Sequence, residues 1–221
     1  GVKKNEFTNA STTGLLSTKT REWDMETVKD LGLPEKLFKE LAQPATLVGK
    51  VKPEIAAEIG YETNIVLTAT HDTASAVMAV PETGHPLYIS SGTWSLLGIE
   101  SPVAISTKEA LEANFTNEGG IDGTTRFLKN ITGLWLLEQC LKVWKNKSGV
   151  TYSYPQIVEM AQSVATNESY VDPDDATFSN PVSMPEAIAD YCKSHHMAVP
   201  QTHAEYVRCI FESLALKYRF V

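Results

Sequence analysis

The sequence predicts a mixed α/β protein, because helix and strand patterns both occur along its 221 residues and fall into separate blocks. Helix patterns and one strand fill the first third, two hairpin patterns follow, and further helices complete the chain. Hydrophobic residues make up 43% of the sequence, which is enough to form a core, and charged residues make up 21%. This order of elements is typical of the α/β fold class.

Short helices with recognisable ends are predicted first. Asp24 is placed to cap a helix over METVKDLG, which Gly32 can end. Pro34 suits the first turn of a helix over EKLFKELA, since proline is tolerated there. Pro53 similarly begins a helix over EIAAEIG, and Gly60 can end it. We therefore expect three short helices before residue 61.

A strand followed directly by a helix is predicted next. The β-branched run from Ile65 to Thr70 predicts a buried strand, and TASAVMAV predicts the helix after it. The turn-forming stretch PETGH, Pro81 to His85, then marks the expected domain boundary. The sequence thus divides into residues 1–80 and 81–221.

Two hairpins are predicted after this boundary. LYISSGTWSLLGIE has the pattern of two strands around Ser91 and Gly92. FTNEGGIDGTTRFLKN has the pattern of two more around Asp122 and Gly123, and Asp-Gly is a strong signal for a two-residue turn. Four strands are therefore expected in this region.

Helices complete the chain. One helix ends at Gly149, and two later helices begin with capping boxes, Ser183 with Glu186 and Thr202 with Glu205. The first helix is predicted from an apolar face formed by Leu134, Leu137, Leu141 and Trp144. The last helix carries an apolar stripe formed by Tyr206, Ile210, Leu214 and Tyr218, with Phe211 beside it. This stripe continues to the last residue without a stop signal, so we expect a piece of a longer protein, the alternative being a frayed terminal helix.

Composition excludes several classes of partner. The net charge of −8 argues against nucleic acids and anionic membranes as partners. No apolar stretch approaches the ~18 residues that span a bilayer, and GVKKNEFTN has no apolar signal core. Three cysteines in a chain of this length favour reduced thiols and a cytoplasmic setting, although Cys192 and Cys209 could pair if their helices are antiparallel.

The candidate catalytic residue is Asp72, in the stretch THDTASAV. A strand that ends in His71 and Asp72 before a helix places a carboxylate where α/β proteins bind ligands. An ionised aspartate there can accept a proton from a hydroxyl group or orient it. Aspartate is also among the best helix caps, so Asp72 can be a cap, a base or both.

Two further stretches carry candidate polar groups. In SSGTWS, backbone N–H groups around Gly92 and the hydroxyl of Thr93 can cradle an anion, although a plain hairpin turn explains the stretch equally well. In the second hairpin, Asn130 is a candidate ligand for a polyol. A solvated hairpin face explains the polar residues around it as well, namely Asn117, Glu118, Arg126 and Lys129. His195 and His196 are adjacent without a CxxC motif and are expected at the surface.

These stretches together resemble a known family, the FGGY carbohydrate kinases of the actin/hexokinase/Hsp70 superfamily, and within it the rhamnulokinases. The resemblance rests on ATHDTASAV, YISSGTWSLLGIE, ANFTNEGG, LKNITGLWLLEQC and RCIFESLALKYR, which occur in this order, and on NEFTNASTTGLL and REWD before them. It implies two RNase H-like domains around a cleft, with sugar against the N-terminal domain and ATP against the C-terminal domain. Both domains would be incomplete here.

The resemblance also implies an activity and roles. The γ-phosphoryl group of ATP, with Mg²⁺, would move to the 1-hydroxyl of L-rhamnulose, a step of L-rhamnose catabolism. Asp72 matches the catalytic base, and His71, Thr73 and Asn130 match sugar contacts. For ATP, Gly92 and Thr93 match the phosphate hairpin, and either Glu138 or Gln139 matches a nucleotide contact.

The sequence also departs from the family pattern. A phosphate loop of the form DxGTxxxR and a glycine-rich adenosine motif do not occur in these residues. We therefore expect little or no kinase activity from these residues alone. Two alternatives stay open: another FGGY kinase with a different ketose or polyol, and a relative that binds sugar or nucleotide without catalysis. Oligomeric state does not follow from the sequence.

Overall fold

The structure, a computed structural model, describes residues 1–81 and 87–221. Contacts divide the chain into two units. The first unit comprises Gly1–Tyr88 and Gly98–Lys129, and the second unit comprises Ile89–Leu97 and Asn130–Val221. The boundary predicted at PETGH, Pro81 to His85, lies outside the described residues apart from Pro81 and stays a prediction.

Helices and strands are both present, as the sequence predicts. The helices are α1 (Phe7–Ala10), α2 (Met25–Asp30), α3 (Pro53–Ile59), α4 (Asp72–Met78), α5 (Lys108–Glu112), α6 (Trp135–Ser148), α7 (Tyr154–Ser163), α8 (Met184–Ser194) and α9 (His203–Phe220). The strands are β1 (Asn5–Glu6), β2 (Leu41–Ala42), β3 (Leu47–Lys50), β4 (Asn64–Val66), β5 (Leu87–Ser91), β6 (Trp94–Ser101), β7 (Thr116–Gly119) and β8 (Thr125–Thr132). Within the described ranges, none of these helices is both long and apolar enough to cross a bilayer.

The strands form three sheets. β1 pairs with β2 in parallel, and β3 pairs with β4 in antiparallel orientation. The largest sheet has the strand order β5-β6-β8-β7. Both predicted hairpins are therefore confirmed, and in the second one Asp122 and Gly123 have positive φ angles of 54° and 79°. Two consecutive positive φ angles are the requirement of the tight turn that Asp-Gly favours.

The core of the second unit is helical. Buried side chains of α6, α7, α8 and α9 pack together, and α7 lies against α9. Leu137 and Trp144 of the predicted apolar face of α6 are buried, and Leu134 and Leu141 pack against the same core. Ile210 and Leu214 are the buried part of the stripe on α9. The helix predicted to end at Gly149 and the helix predicted after Thr202 are thus confirmed, and Gly149 ends α6 in the left-handed conformation.

The helix predicted over EKLFKELA is wrong. Only Glu35–Leu37 form a short 3-10 helix, and Leu41–Ala42 form strand β2. Pro34 precedes the turn with an extended backbone instead of starting a helix. Leu41 and Ala42 pair with Asn5 and Glu6, so a tertiary pairing replaces the helical hydrogen bonds that the local pattern favours.

The buried strand predicted at Ile65–Thr70 is also wrong in length and in burial. β4 covers only Asn64–Val66, and the exposed fractions of Ile65 and Val66 are 45% and 54%. Its partner is β3, in a two-stranded sheet. Side chains of such a small sheet stay exposed unless another element covers them.

The predicted helix caps at Asp24 and Thr202 are present, and the one at Ser183 is not. The side chain of Asp24 accepts a hydrogen bond from the N–H of Thr27, and Thr202 and Glu205 form a capping box, so both predictions are confirmed. At Ser183 the structure shows no cap hydrogen bond, and that prediction is wrong. Glu186, its expected partner, instead bonds Lys147 at 2.9 Å. Helix α7 begins with a further capping box, formed by Ser153 and Gln156, which is not among the predicted caps.

Candidate active site

Asp72 is the first residue of α4, and its side chain is 98% exposed. His71 occupies the position before the helix and makes no side-chain cap hydrogen bond. The Asp72 carboxylate accepts the N–H of the adjacent Thr73 at 2.7 Å. Asp72 is therefore not a helix cap, because a cap lies outside the helix and bonds N–H groups two or three residues further on. Its carboxylate is accessible to a ligand.

Glu6 holds the segment before Asp72 in place. Its carboxylate, 5% exposed, accepts the N–H and hydroxyl of Thr8 at 2.8 and 2.6 Å and the N–H of Asn9 at 3.2 Å. It also accepts the N–H and hydroxyl of Thr70 at 3.0 and 2.7 Å. Burial would raise the pKa of Glu6, but the hydrogen bonds from Thr8 and Thr70 outweigh it and lower the pKa. The loop that carries His71 and Asp72 is thus anchored by an ionised carboxylate.

Sequence reasoning did not find Glu6 as a functional residue. Glutamate is not among the preferred N-cap residues, so its position before α1 gives no recognisable cap signal. Thr70, which donates hydrogen bonds to Glu6, lies 64 residues further along the sequence. Such a contact has no local pattern, and only the folded chain shows it.

A buried charge cluster lies on the other side of His71. Arg126, on β8, is fully buried and donates to Glu118 at 2.8 Å and to the backbone carbonyl of Gly119 at 3.3 Å. The same guanidinium nitrogen that bonds Glu118 lies 2.7 Å from Nδ1 of His71. The solvated hairpin face expected here is therefore wrong for Arg126 and Glu118, since these two charges pair with each other and with the residue beside Asp72.

The hairpin at Gly92 and Thr93 belongs to the second unit and is attached to the start of α6. The N–H groups of Gly133 and Trp135 donate to the carbonyl of Thr93, and the N–H of Leu134 donates to the carbonyl of Gly92 at 2.9 Å. A Cβ atom on Gly133 would lie 2.6 Å from the Gly92 carbonyl oxygen. Gly133 therefore permits a close approach of two backbone segments.

The expected anion cradle is partly occupied by internal hydrogen bonds. The N–H of Gly92 donates to the carbonyl of Trp94 at 2.9 Å. The hydroxyl of Thr93 donates to the Glu138 carboxylate at 2.9 Å. Thr93 and Glu138, two of the predicted nucleotide contacts, are thus brought together. A phosphate oxygen would have to replace the Glu138 carboxylate as the acceptor of the Thr93 hydroxyl.

The other candidates are placed as follows. Asn130 is exposed on β8, and Gln139 is partly exposed on α6 next to Glu138. His195 and His196 lie beyond the end of α8 and are exposed, as expected. In the described ranges, no group of three His, Cys, Asp or Glu side chains is arranged to hold a metal ion.

The comparisons with known proteins decide the family. The family model described as the C-terminal domain of the FGGY family of carbohydrate kinases matches residues 87–221. The chain belongs to this family. The corresponding FGGY N-terminal domain model matches residues 1–79. The expected sugar-kinase fold class is thereby confirmed.

Curated FGGY relatives cover the whole chain. A rhamnulokinase of Oceanobacillus iheyensis is 42% identical over 219 residues, which are 99% of this chain and 46% of that protein. A rhamnulokinase of Pectobacterium carotovorum is 46% identical over 98% of this chain and 42% of its own length. The chain thus spans about half the length of the curated relatives it matches.

Solved structures with the same fold include a xylulose kinase and a gluconate kinase. A xylulose kinase from Rhodospirillum rubrum matches 99% of this chain and 43% of its own chain with a TM-score of 0.67 at 15% identity. A gluconate kinase from Lactobacillus acidophilus matches 95% of this chain and 42% of its own with a TM-score of 0.60 at 18% identity. At such low identity the likeness shows the FGGY fold alone.

Proposed function

We propose that the protein carrying this chain phosphorylates L-rhamnulose at its 1-hydroxyl, with ATP as the phosphoryl donor. The proposal is carried by the identity of 40–46% to rhamnulokinases along nearly the whole chain. L-Rhamnulose 1-phosphate would be the product, in the catabolism of L-rhamnose. The exposed carboxylate of Asp72 supplies the chemical group that this reaction needs.

Asp72 acts as the general base in this proposal. Phosphoryl transfer depends mainly on positioning and charge stabilisation, and the base orients the attacking hydroxyl and accepts its proton. Oδ1 of Asp72 accepts the backbone N–H of Thr73 at 2.7 Å and its hydroxyl at 3.4 Å, so Oδ2 keeps its lone pairs free for a substrate hydroxyl. His71, Thr73 and Asn130 are proposed as sugar contacts.

The Gly92–Thr93 hairpin is proposed as the phosphate contact. Support comes from its three backbone hydrogen bonds to residues 133–135, which hold the turn rigidly. On binding, the Thr93 hydroxyl would turn from Glu138 to a phosphate oxygen. Of the two candidates on α6, Glu138 is favoured as the nucleotide contact over Gln139 because it already bonds Thr93.

The family also implies Mg²⁺, but the described residues do not form a metal site of their own. Mg²⁺ in kinases is usually held by substrate phosphates, water and one or two carboxylates. We also propose a cytoplasmic setting, where ATP is available. Three free cysteines fit such a reducing compartment.

The test is the ATP-dependent phosphorylation of L-rhamnulose by a full-length protein that carries these residues, wild type beside Asp72→Asn. The amide has nearly the same shape but accepts no proton, so we expect kcat to fall by about 10²–10⁴-fold. Because the side chain is 98% exposed, the melting temperature should barely change.

Asp122→Asn is the matched control, since it makes the same chemical change at an exposed turn and should leave kcat unchanged. Retained turnover in a folded Asp72→Asn protein would contradict the role of Asp72. D-Xylulose, L-fuculose and glycerol are assayed in parallel, and a preference for one of them would overturn the substrate assignment. If the wild-type protein phosphorylates none of these substrates, the result would favour the alternative of a relative that binds sugar or nucleotide without catalysis.

A further inference from the structure

Arg126 is a fully buried charge: its Nε donates to the Gly119 carbonyl at 3.3 Å, and one terminal nitrogen contacts both Glu118 and the residue before the candidate base. Its guanidinium group bonds Glu118 at 2.8 Å and approaches Nδ1 of His71 at 2.7 Å. His71 is in turn the residue directly before Asp72. A buried arginine is costly unless it is paired, and an apolar pair of similar size often stabilises a fold as well or better. The contacts of Arg126 with Glu118 and His71 therefore suggest a role beyond stability.

The contact between Arg126 and His71 determines where the imidazole carries its proton. A guanidinium group has only donors and no acceptor. At 2.7 Å, Nδ1 of His71 must therefore accept the hydrogen bond, so Nδ1 carries no proton. A neutral imidazole with a bare Nδ1 has its proton on Nε2.

Glu118 completes this arrangement. Its side chain is 12% exposed and its carboxylate neutralises Arg126, which keeps the guanidinium in place. The same carboxylate oxygen lies 3.6 Å from Nδ1 of His71, too far for a good hydrogen bond. The shorter contact, from Arg126, therefore decides the state of Nδ1.

The opposite edge of the ring faces the candidate base. Nε2 of His71 lies 3.8 Å from Oδ1 of Asp72, and the His71 side chain is 21% exposed. This separation is too long for a direct hydrogen bond. The Nε2–H group is thus available to a ligand oxygen next to the Asp72 carboxylate.

We propose that Arg126, held by Glu118, is a positioning residue that fixes His71 as the neutral Nε2–H tautomer and so makes it a hydrogen-bond donor to a sugar oxygen beside Asp72. The sugar part rests on the proposed function, whereas the tautomer does not. Arg126 touches neither substrate nor reacting atoms and acts through His71 alone.

The tautomer is tested without substrate. In full-length protein with ¹⁵N-labelled histidine, the imidazole signals of His71 are assigned by their loss in His71→Gln. We expect an unprotonated Nδ1 and a protonated Nε2 in the wild type at pH 8. A protonated Nδ1, alone or in an imidazolium ion, overturns the proposal whether or not any variant folds.

Variants then test the cause. Arg126→Met should convert His71 to a mixture of tautomers, and Arg126→Lys, which keeps the charge, should retain more of the wild-type signal. Arg208→Met is the matched control in the second unit and should leave the His71 signals unchanged. A folded Arg126→Met protein with an unaltered His71 tautomer overturns the proposal.

Kinetics separate positioning from a structural role. In Arg126→Met, KM for the sugar should rise about tenfold or more while KM for ATP stays within twofold, with partial rescue in Arg126→Lys. Equal rises in both KM values would indicate general damage and would overturn the positioning role. If the wild type phosphorylates no sugar but shows the expected tautomer, the proposed function fails and the role of Arg126 in fixing the tautomer stands.

Discussion

The carboxylate of Glu6 connects two segments that lie 64 residues apart, next to the candidate base. It bonds the start of α1 and both polar groups of Thr70, two residues before Asp72. Hydrogen bonds from five donor groups favour the ionised form of a carboxylate even when it is buried. The placement of His71 and Asp72 therefore depends on the charge of a residue outside the recognisable motif.

Glu6→Gln is expected to lower the free energy of unfolding at pH 7 by about 1–3 kcal/mol, because an amide NH₂ group would face buried donors. The folded-state pKa of Glu6 is lowered from its ordinary value of 4.5. Its ionised form therefore stabilises the fold above the unfolded-state pKa, and this stabilisation is lost as the pH falls through the folded-state pKa. Urea unfolding at pH 7 and pH 3 should show a large difference between variant and wild type only at pH 7.

Glu58→Gln is the control, since Glu58 is exposed on α3 and the same chemical change there should have little effect. An equal loss of stability for Glu6→Gln at both pH values would contradict the role of the ionised carboxylate.

Single residues were predictable where the chemistry is local. The pair His71–Asp72 is recognisable in the sequence because strand, pair and helix are contiguous. A solvated hairpin face explains Arg126 at the level of the sequence, whereas the structure buries Arg126 completely. The two interpretations differ because the burial of a charge depends on partners elsewhere, and its partner His71 lies 55 residues away.

At the scale of elements, two similar cap signals have different outcomes. Thr202 bonds the N–H of Glu205 at 3.2 Å, and Glu205 bonds the N–H of Thr202 at 3.1 Å. Ser183 precedes α8 with the same spacing to Glu186 but makes no cap bond, and its hydroxyl is buried without a partner in the described structure. The motif predicts the start of a helix more reliably than it predicts the cap itself.

Thr202→Ala is expected to lower the free energy of unfolding by about 1 kcal/mol, the usual loss for an N-cap. Ser183→Ala is the matched control and should change it by less than about 0.5 kcal/mol, because no cap bond is lost. Urea unfolding of both variants measures the difference, and similar losses would contradict the distinction.

The close packing around Gly133 leads to a second prediction, which concerns the stability of the protein and its KM for ATP. An alanine Cβ there would lie 2.6 Å from both the Gly92 carbonyl oxygen and the Ser95 hydroxyl, so the hairpin must shift. Gly133→Ala should destabilise the protein by about 1–3 kcal/mol, as overpacking does, and should raise KM for ATP in the full-length protein.

Gly149→Ala is the control for Gly133→Ala. It strains the left-handed end of α6, where a Cβ would meet open space, and should leave KM for ATP unchanged. Identical effects on KM for ATP in the two variants would contradict a specific link between Gly133 and the hairpin.

Elements with local signals were predicted well. Asp122–Gly123, the apolar face of α6 and the cap at Thr202 all act within a few residues of each other. The helix predicted at 35–42 is wrong because Leu41–Ala42 pair with β1. The strand predicted at 65–70 is too long because its pairing with β3 ends at Val66, and Ile65 and Val66 stay exposed in that small sheet. Local propensity is overridden wherever a distant strand supplies the hydrogen bonds.

At the scale of the whole molecule, the reactivity of the three cysteines measures whether the helical core of the second unit is folded, because all three lie in that core. Cys140, Cys192 and Cys209 are free and fully buried. Burial raises the pKa of Cys209 to about 12 and also raises the pKa of Cys140. Buried, protonated thiols are poor nucleophiles.

The native protein should therefore react slowly at Cys140, Cys192 and Cys209 with a thiol reagent at pH 8, and unfolding in guanidinium should make all three react. Mass spectrometry of the modified peptides checks the three sites, with the unfolded protein treated with a reductant as the control. A missing modification at both Cys192 and Cys209 before reduction would indicate that they are paired, contrary to the structure.

Fold class and family can be inferred from motifs and their order along the chain, and the hairpins and the Asp72 motif from residues that are close together in the sequence. Only the tertiary structure decided that Glu6 anchors Thr70, that Arg126 is buried against His71, and that Thr93 bonds Glu138. The physical reason is the same in each case. The free energy of a polar side chain depends on which partner reaches it, and here the partners lie 45 to 64 residues away.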